Sequence, residues 1–293
     1  MSTATTDTGE AIVDWYATAA RDLPWRRPDV DAWAVLVSEV MLQQTPVARV
    51  EPVWRDWMAR WPTPAALAAE TPAEVIRAWG KLGYPRRALR LREAALAIVE
   101  RHGGVVPDDV PTLEALPGIG TYTARAVACF GYGRPQPVVD TNVRRVVARL
   151  VHAKAEAGTA RAADLEDIAA LAPTDPERAV RFSVATMELG ALVCVAGTPR
   201  CAVCPVRDSC AWRLAGYPAH EGPPRRVQKF AGTDRQVRGR LLDVLRAAAQ
   251  PVEAAELDAA WDDAVQRSRC LDSLLTDGLV EQTPDGLFRL PHS

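Results

Sequence analysis

Nowhere in the 293 residues do 18 apolar residues run together, so no membrane-spanning helix is expected. The first ten residues, MSTATTDTGE, lack a basic stretch followed by an apolar one, so no secretory leader is expected either. There is no internal repeat and no low-complexity tract, which argues against a solenoid or a disordered tail. Neither sign of charge is in large excess: 35 Lys and Arg face 37 Asp and Glu, for a net charge of −2. With a pI near 6.1, bulk charge does not mark a nucleic-acid-binding protein. What remains is an ordinary globular composition, 48% hydrophobic and 25% charged, with room for two domains or two and a small third. Six cysteines without a leader imply a reducing cytoplasm and free thiols, with Cys129 and Cys270 read as buried ones.

The other four cysteines are the densest chemical feature present. Cys194, Cys201, Cys204 and Cys210 read C-x6-C-x2-C-x5-C within 17 residues, a ligand set for one metal centre. Structural zinc usually takes two tight pairs far apart in sequence. Here one tight pair lies between two outlying cysteines, which suits a [4Fe–4S] cubane with four iron corners. Disulfides are the reading set aside.

Helical spacing dominates from residue 8 to about 215. Ile12, Val13, Tyr16 and Ala19 form one stripe over 10–20, and 31–44 is apolar up to Thr45-Pro46. Thr63-Pro64, Thr71-Pro72 and Val110-Pro111 each predict a proline-started helix. Trp54, Trp57, Trp61 and Trp79 recur at near-helical intervals and read as core rather than as a base-stacking platform. Residues 216–232, rich in Gly and Pro, read as a linker. Beyond it, three helical stripes (Val237, Leu241 and Leu245; 254–261; 267–275) precede two short apolar runs around Pro284-Asp285-Gly286. That pattern predicts three helices and a β-hairpin, a small winged-helix-like domain over 233–293.

Three further motifs bear on chemistry. Leu116-Pro117-Gly118-Ile119-Gly120 separates helical segments at 111–115 and 121–130. Its glycines permit unusual backbone conformations and let amides face outward at a helix start, which makes a phosphate site. Twenty residues beyond Gly120, Asp140 follows an apolar pair; it either caps the helix at 143–150 or faces the same cleft, and the two roles are compatible. Glu39 lies in Val37-Ser38-Glu39-Val40-Met41-Leu42-Gln43-Gln44-Thr45 among apolar neighbours, where a carboxyl holds its proton to higher pH, as a general acid requires. The basic runs Arg77, Lys81, Arg86, Arg87, Arg90, Arg92 and Arg144, Arg145, Arg149, Lys154 are read as helix faces, with Arg86, Arg87, Arg144 and Arg145 as candidate phosphate contacts.

Together, the glycine hairpin, the following aspartate and the cysteine quartet resemble the endonuclease III superfamily of helix-hairpin-helix DNA glycosylases. VSEVMLQQT, Leu23-Pro24-Trp25-Arg26, Gly83-Tyr84 and Met187-Glu188-Leu189-Gly190 resemble its adenine-removing branch. The resemblance covers about residues 8–215. It implies a mainly α, two-lobed glycosylase fold: a six-helix lobe at about 27–137, and a cluster lobe from 8–26 plus 138–215. It implies a catalytic set of Glu39 (acid), Asp140 (stabiliser of the sugar cation), Tyr122 and Asn142. Substrate and DNA contacts would come from Leu23, Trp25, Arg26, Gln44, Tyr84, Leu116, Gly118, Gly120 and Glu188. Cys194, Cys201, Cys204 and Cys210 would hold a [4Fe–4S] cluster, with a monovalent cation at the hairpin turn. The implied partner is double-stranded DNA with a mismatched or damaged pair; the protein is expected to be monomeric and cytoplasmic, or nucleoid-associated in a bacterium. The implied reaction is hydrolysis of adenine opposite 8-oxoguanine or guanine in base-excision repair. Tyr122 stands where lyase-active relatives carry lysine, so no strand cleavage is expected. A thymine or uracil mismatch glycosylase is the alternative, and a non-catalytic iron–sulfur DNA sensor the more distant one. Asp140-Thr141-Asn142 departs from the family's Asp-Gly-Asn, and about 60 residues after the linker are too few for the Nudix-like domain of typical members.

Overall fold

The computed structural model describes residues 3–220, 222 and 230–292. It is mainly helical, with one two-stranded sheet among the described residues. The chain forms two compact units. One comprises Met1–Glu39, Asp108–Ala115 and Ile119–Pro223; the other comprises Val40–Pro107, Leu116–Gly118 and Pro224–Ser293.

In the first unit the helices Thr3–Ala19, Pro176–Leu192 and Thr141–Leu150 pack in that order. Val143, Val146, Val147 and Leu150 recur at helical spacing and meet Ile12, Val13, Phe182, Ala185 and Leu189 in one core. Gly190 makes the approach of two of these helices possible, since a Cβ there would lie 2.7 Å from the Cβ of Asn142. Ala32–Leu42, whose first eight residues belong to this unit, is apolar except for Ser38 and Glu39, and its residues 32–41 are all buried. Thr121–Tyr132 ends at Gly133, whose φ of +64° closes the helix in the left-handed conformation.

In the second unit, Thr63 and Thr71 cap the proline-started helices Pro64–Ala68 and Pro72–Trp79, each hydroxyl accepting from an amide three residues on. The four tryptophans are core: Trp54, Trp57, Trp61 and Trp79 are at most 6% exposed, and Trp57 meets Trp61 and Trp79 edge to face. The C-terminal segment has the expected three helices, Asp234–Ala247, Ala254–Asp258 and Ala264–Thr276. The hairpin follows, with Glu281 opposite Arg289 and Gln282 opposite Phe288.

Residues 221 and 223–229 of the linker read at 216–232 lie outside the described residues. The C-terminal core takes in Ala73 and Ile76 from the Pro72–Trp79 helix beside Leu241, Leu245, Leu274 and Phe288, which is why 224–293 groups with the middle of the chain. Polar contacts reinforce this: Arg77 donates to the Ala248 carbonyl, Arg246 to that of Ile76, and Arg86 pairs with Asp277. The grouping also keeps 27–39 and 119–137 with 8–26 and 138–215.

Candidate active site

Glu39 enters the site because its helix is buried on every side; the residue itself is 6% exposed. Its Oε2 accepts a 2.9 Å hydrogen bond from the Tyr122 hydroxyl, one residue into the Thr121–Tyr132 helix. Burial pushes the Glu39 carboxyl up to about 7. The Tyr122 bond and the charge of Arg26 oppose the rise, and Asp140 adds to it. The Tyr122 phenol is itself held well above its ordinary range by burial and the neighbouring carboxylates, so it stays a donor.

Asp140 does cap its helix. Its Oδ1 accepts from the Val143 amide at 2.7 Å, and its Oδ2 accepts from the Asn142 side chain at 2.7 Å. Burial raises its pKa against these bonds. The Asn142 carbonyl in turn accepts from Arg145 at 2.8 Å, and Arg145 also donates to the Gly190 and Cys194 carbonyls, both at 2.7 Å.

A second polar centre lies in the same unit. Glu188 is fully buried on the Pro176–Leu192 helix. It accepts from the Arg21 amide at 3.1 Å, from the Arg21 guanidinium at 2.7 Å to each oxygen, and from Arg26 at 3.0 Å. Burial pushes this carboxyl up, but the Arg21 bonds and the charges of Arg26 and Arg21 outweigh it and hold it below the usual range. Arg26 belongs to a single turn, Pro24–Arg26, preceded by Leu23; Leu23 and Trp25 are 5% and 6% exposed. The structure thus places Glu39, Tyr122, Asp140, Asn142, Leu23, Trp25, Arg26 and Glu188 in one unit.

Gln44, Tyr84, Leu116 and Gly118 fall in the other unit. Gln44 and Tyr84 are exposed and have φ of +54° and +48°, uncommon for residues with a side chain. Leu116 is buried at 3%. Gly118 has φ +74°, and a Cβ there would sit 2.7 Å from that of Arg90, so glycine is required twice over. Gly120 corrects the sequence reading: its φ is −99°, which any residue adopts. A Cβ on it would meet nothing within 4 Å, so its glycine leaves open space before the amides of the following helix.

The basic runs also make contacts within the protein. Arg86 pairs with Asp277, and Arg144 with Asp164. Arg87 gives its donors to the Val40, Met41, Gln43 and Gly83 carbonyls and the Thr45 hydroxyl, and Arg145 gives its own as above. Arg87 and Arg145 act as internal supports, because a planar guanidinium satisfies several carbonyls at once, while Arg86 stays exposed. Arg21 has no part in the sequence reading of the site, and Arg145 enters it only as a candidate phosphate contact. A cationic stretch beside Leu23-Pro24-Trp25 is a signal for Arg21; for Arg145 the spacing from Arg149 on one helical face is the nearest thing to one.

None of the four cysteines of the quartet forms a disulfide, nor do the buried Cys129 and Cys270. Burial raises the Cys204 thiol to about 11, and the charges of Cys194, Cys210 and Cys201 all act on it, so the four lie within electrostatic reach of one another. Arg149 donates to the Cys194 sulfur at 3.4 Å and to the Val195 carbonyl at 2.8 Å. Among the described residues, no three His, Cys, Asp or Glu are placed to hold a single metal ion.

Residues 37–174 match the HhH-GPD superfamily of base excision DNA repair proteins. The chain is 62% identical over 282 residues to an adenine DNA glycosylase of Mycobacterium tuberculosis (strain CDC 1551 / Oshkosh), covering 96% of this chain and 92% of that one. It is 62% identical over 280 residues to the adenine DNA glycosylase of Mycolicibacterium smegmatis, covering 95% and 94%. The solved structure of a thermostable thymine-DNA glycosylase superposes with a TM-score of 0.66 at 25% identity, over 72% of this chain and 97% of that one. The mycobacterial similarity spans too much of the chain to leave out the C-terminal segment. By sequence, fold and helix-hairpin-helix framework alike, the chain belongs to the adenine DNA glycosylases of the base-excision repair superfamily.

Proposed function

We propose that the protein is a monofunctional DNA glycosylase that hydrolyses the N-glycosidic bond of adenine mispaired with 8-oxoguanine or guanine. The observation that carries this is a buried Glu39, bonded to Tyr122, that keeps its proton to about pH 7 and lies within electrostatic reach of Asp140. Glu39 gives that proton to N7 of the adenine. The bond from N9 to the sugar breaks, and its electron pair leaves with the base. The developing sugar cation faces the Asp140 carboxylate, an attraction that is strongest in the transition state and therefore accelerates the step. Water adds to the sugar carbon and gives its proton to the Glu39 carboxylate, which restores the acid. This is glycoside hydrolysis by two carboxylates with a nucleobase as leaving group.

Leu23, Trp25, Arg26 and Glu188 line the base pocket in this reading, with Asn142 orienting Asp140. Tyr122 offers no amine for a Schiff base, so the strand stays intact. Leu116, Gly118 and Gly120 shape the hairpin whose open amides take a phosphate, and a monovalent cation would sit on the carbonyls of this turn, which has no charged side chain. Gln44 and Tyr84 contact the duplex when the base is flipped.

Cys194, Cys201, Cys204 and Cys210 fit a [4Fe–4S] cluster. Four adjacent thiolates repel one another unless a cationic centre holds them, and Arg149 and Arg145 lie beside Cys194. The cluster would cross-link the segment after Glu188; its chemistry is structural, and no step of the reaction passes through it. In this reading the protein is a cytoplasmic monomer, nucleoid-associated if bacterial.

The test is base release from duplexes carrying A opposite 8-oxoguanine, A opposite G, and T opposite G, each with and without alkali. Release of adenine with strand cleavage only after alkali is expected. Release from T opposite G alone would favour a thymine glycosylase, the activity named for the superposed structure. Binding without release from any duplex would favour a sensor. About four irons per chain and absorbance near 400 nm support the cluster; colourless protein carrying zinc overturns it.

A further inference from the structure

Tyr84 is 42% exposed and left-handed in its backbone, and Gln44 shares both properties. Strain at exposed side chains persists only where the surroundings impose it. Arg87 does so within this unit, joining the carbonyls of Val40, Met41 and Gln43 on one side to that of Gly83 on the other. Its guanidinium carbon also lies 5.5 Å from the Tyr84 ring centre. A second cation reaches the same ring: the guanidinium carbon of Arg235, at the start of the Asp234–Ala247 helix, is 4.3 Å from the ring centre.

The neighbours of Arg235 are otherwise engaged. Asp234 binds Arg269, and Asp277 binds both Arg86 and Arg238. No described carboxylate pairs with Arg235, which is itself exposed, and its charge acts unfavourably on Arg87. An exposed aromatic ring on a braced turn, with an uncompensated cation beside it, is what stacking against a base next to a phosphate requires.

We propose that Arg235 makes the C-terminal segment part of the DNA-binding surface: it holds the Tyr84 ring for stacking on a base of the duplex and presents its charge to a flanking phosphate. This rests on the DNA glycosylase reading above. The segment acts through the contact it makes with Tyr84.

The test uses the full-length protein and a duplex with adenine opposite 8-oxoguanine, with 2-aminopurine beside the adenine reporting extrusion by fluorescence. Arg235→Ala is compared with Arg240→Ala, which removes an exposed charge from the same helix. Arg235→Ala slows extrusion about threefold to fivefold, the worth of one exposed cation–ring contact, and Arg240→Ala leaves it unchanged. In a Tyr84→Ala background the effect of Arg235→Ala on extrusion shrinks, because its partner is gone. Equal behaviour of the two arginine variants, with Tyr84→Ala impaired, overturns the role of Arg235 and leaves the glycosylase reading standing. Full additivity overturns the positioning role. Undiminished extrusion in Tyr84→Ala removes the platform and the proposal with it. Failure of the unaltered protein to release adenine strikes the underlying reading instead.

Discussion

Glu39 and Glu188 are buried to nearly the same degree, 6% and 0% exposed, within one helical unit, yet their surroundings drive them to opposite charge states. Around Glu39 the helix is apolar and the bonded partner is a neutral phenol; burial wins and the carboxyl rises to about 7. Around Glu188 two guanidinium groups supply the donors, and their bonds and charges reverse the effect of burial. Burial alone therefore says nothing about whether a carboxylate gives up a proton or anchors a pocket. The partner decides, and one arginine, Arg26, bonds Glu188 while lowering Glu39 electrostatically.

The largest test of this contrast is Glu39→Gln. Removing the acid is expected to cut single-turnover adenine release by about a thousandfold, with duplex affinity retained; unchanged release would take Glu39 out of the mechanism. Glu188→Ala leaves two arginines without their shared anion. It should cost about 3–5 kcal/mol of stability by denaturant titration, the range for breaking a buried pair. A loss under 1 kcal/mol would mean that water reaches the arginines, and the contrast would fail.

Glu39→Gln should move stability the other way. The folded pKa of Glu39, about 7, lies above the ordinary value of 4.5, so the folded state holds an extra proton between them. That contribution is present below pH 4.5 and is lost as pH rises through 7. Above pH 7 the protein carries a buried charge that glutamine lacks, and Glu39→Gln should be more stable by on the order of 3 kcal/mol at pH 8. Equal melting temperatures at pH 8 would show that the carboxylate is better solvated than its burial implies. The smallest effect is on the unaltered protein, whose single-turnover rate should fall about tenfold between pH 6 and pH 8 as Glu39 loses its proton. A flat profile would point to a different acid.

Much of the fold was legible. The helix at 143–150, the proline starts at Pro64 and Pro72 and the C-terminal hairpin pattern each specify an element locally, and each element formed. Asp140 was legible as a cap because a cap is a three-residue relation. The arginines were not. Arg87 and Arg145 look like surface charge in sequence, whereas they bond carbonyls up to 49 residues away. Gly120 looked like Gly118 in the motif, but one glycine is demanded by backbone and packing and the other by neither.

The sequence by itself determined the family, the helical architecture, and the residue types available for chemistry, because motifs and periodicities are relations between near neighbours along the chain. Tertiary structure alone decided which carboxylate holds a proton, which arginines are supports, and that the C-terminal segment shares a core with Ala73 and Ile76 and sets Arg235 on Tyr84. Charge states and supporting contacts depend on distances between residues far apart in sequence and on the water excluded between them, and those quantities exist only once the chain has folded.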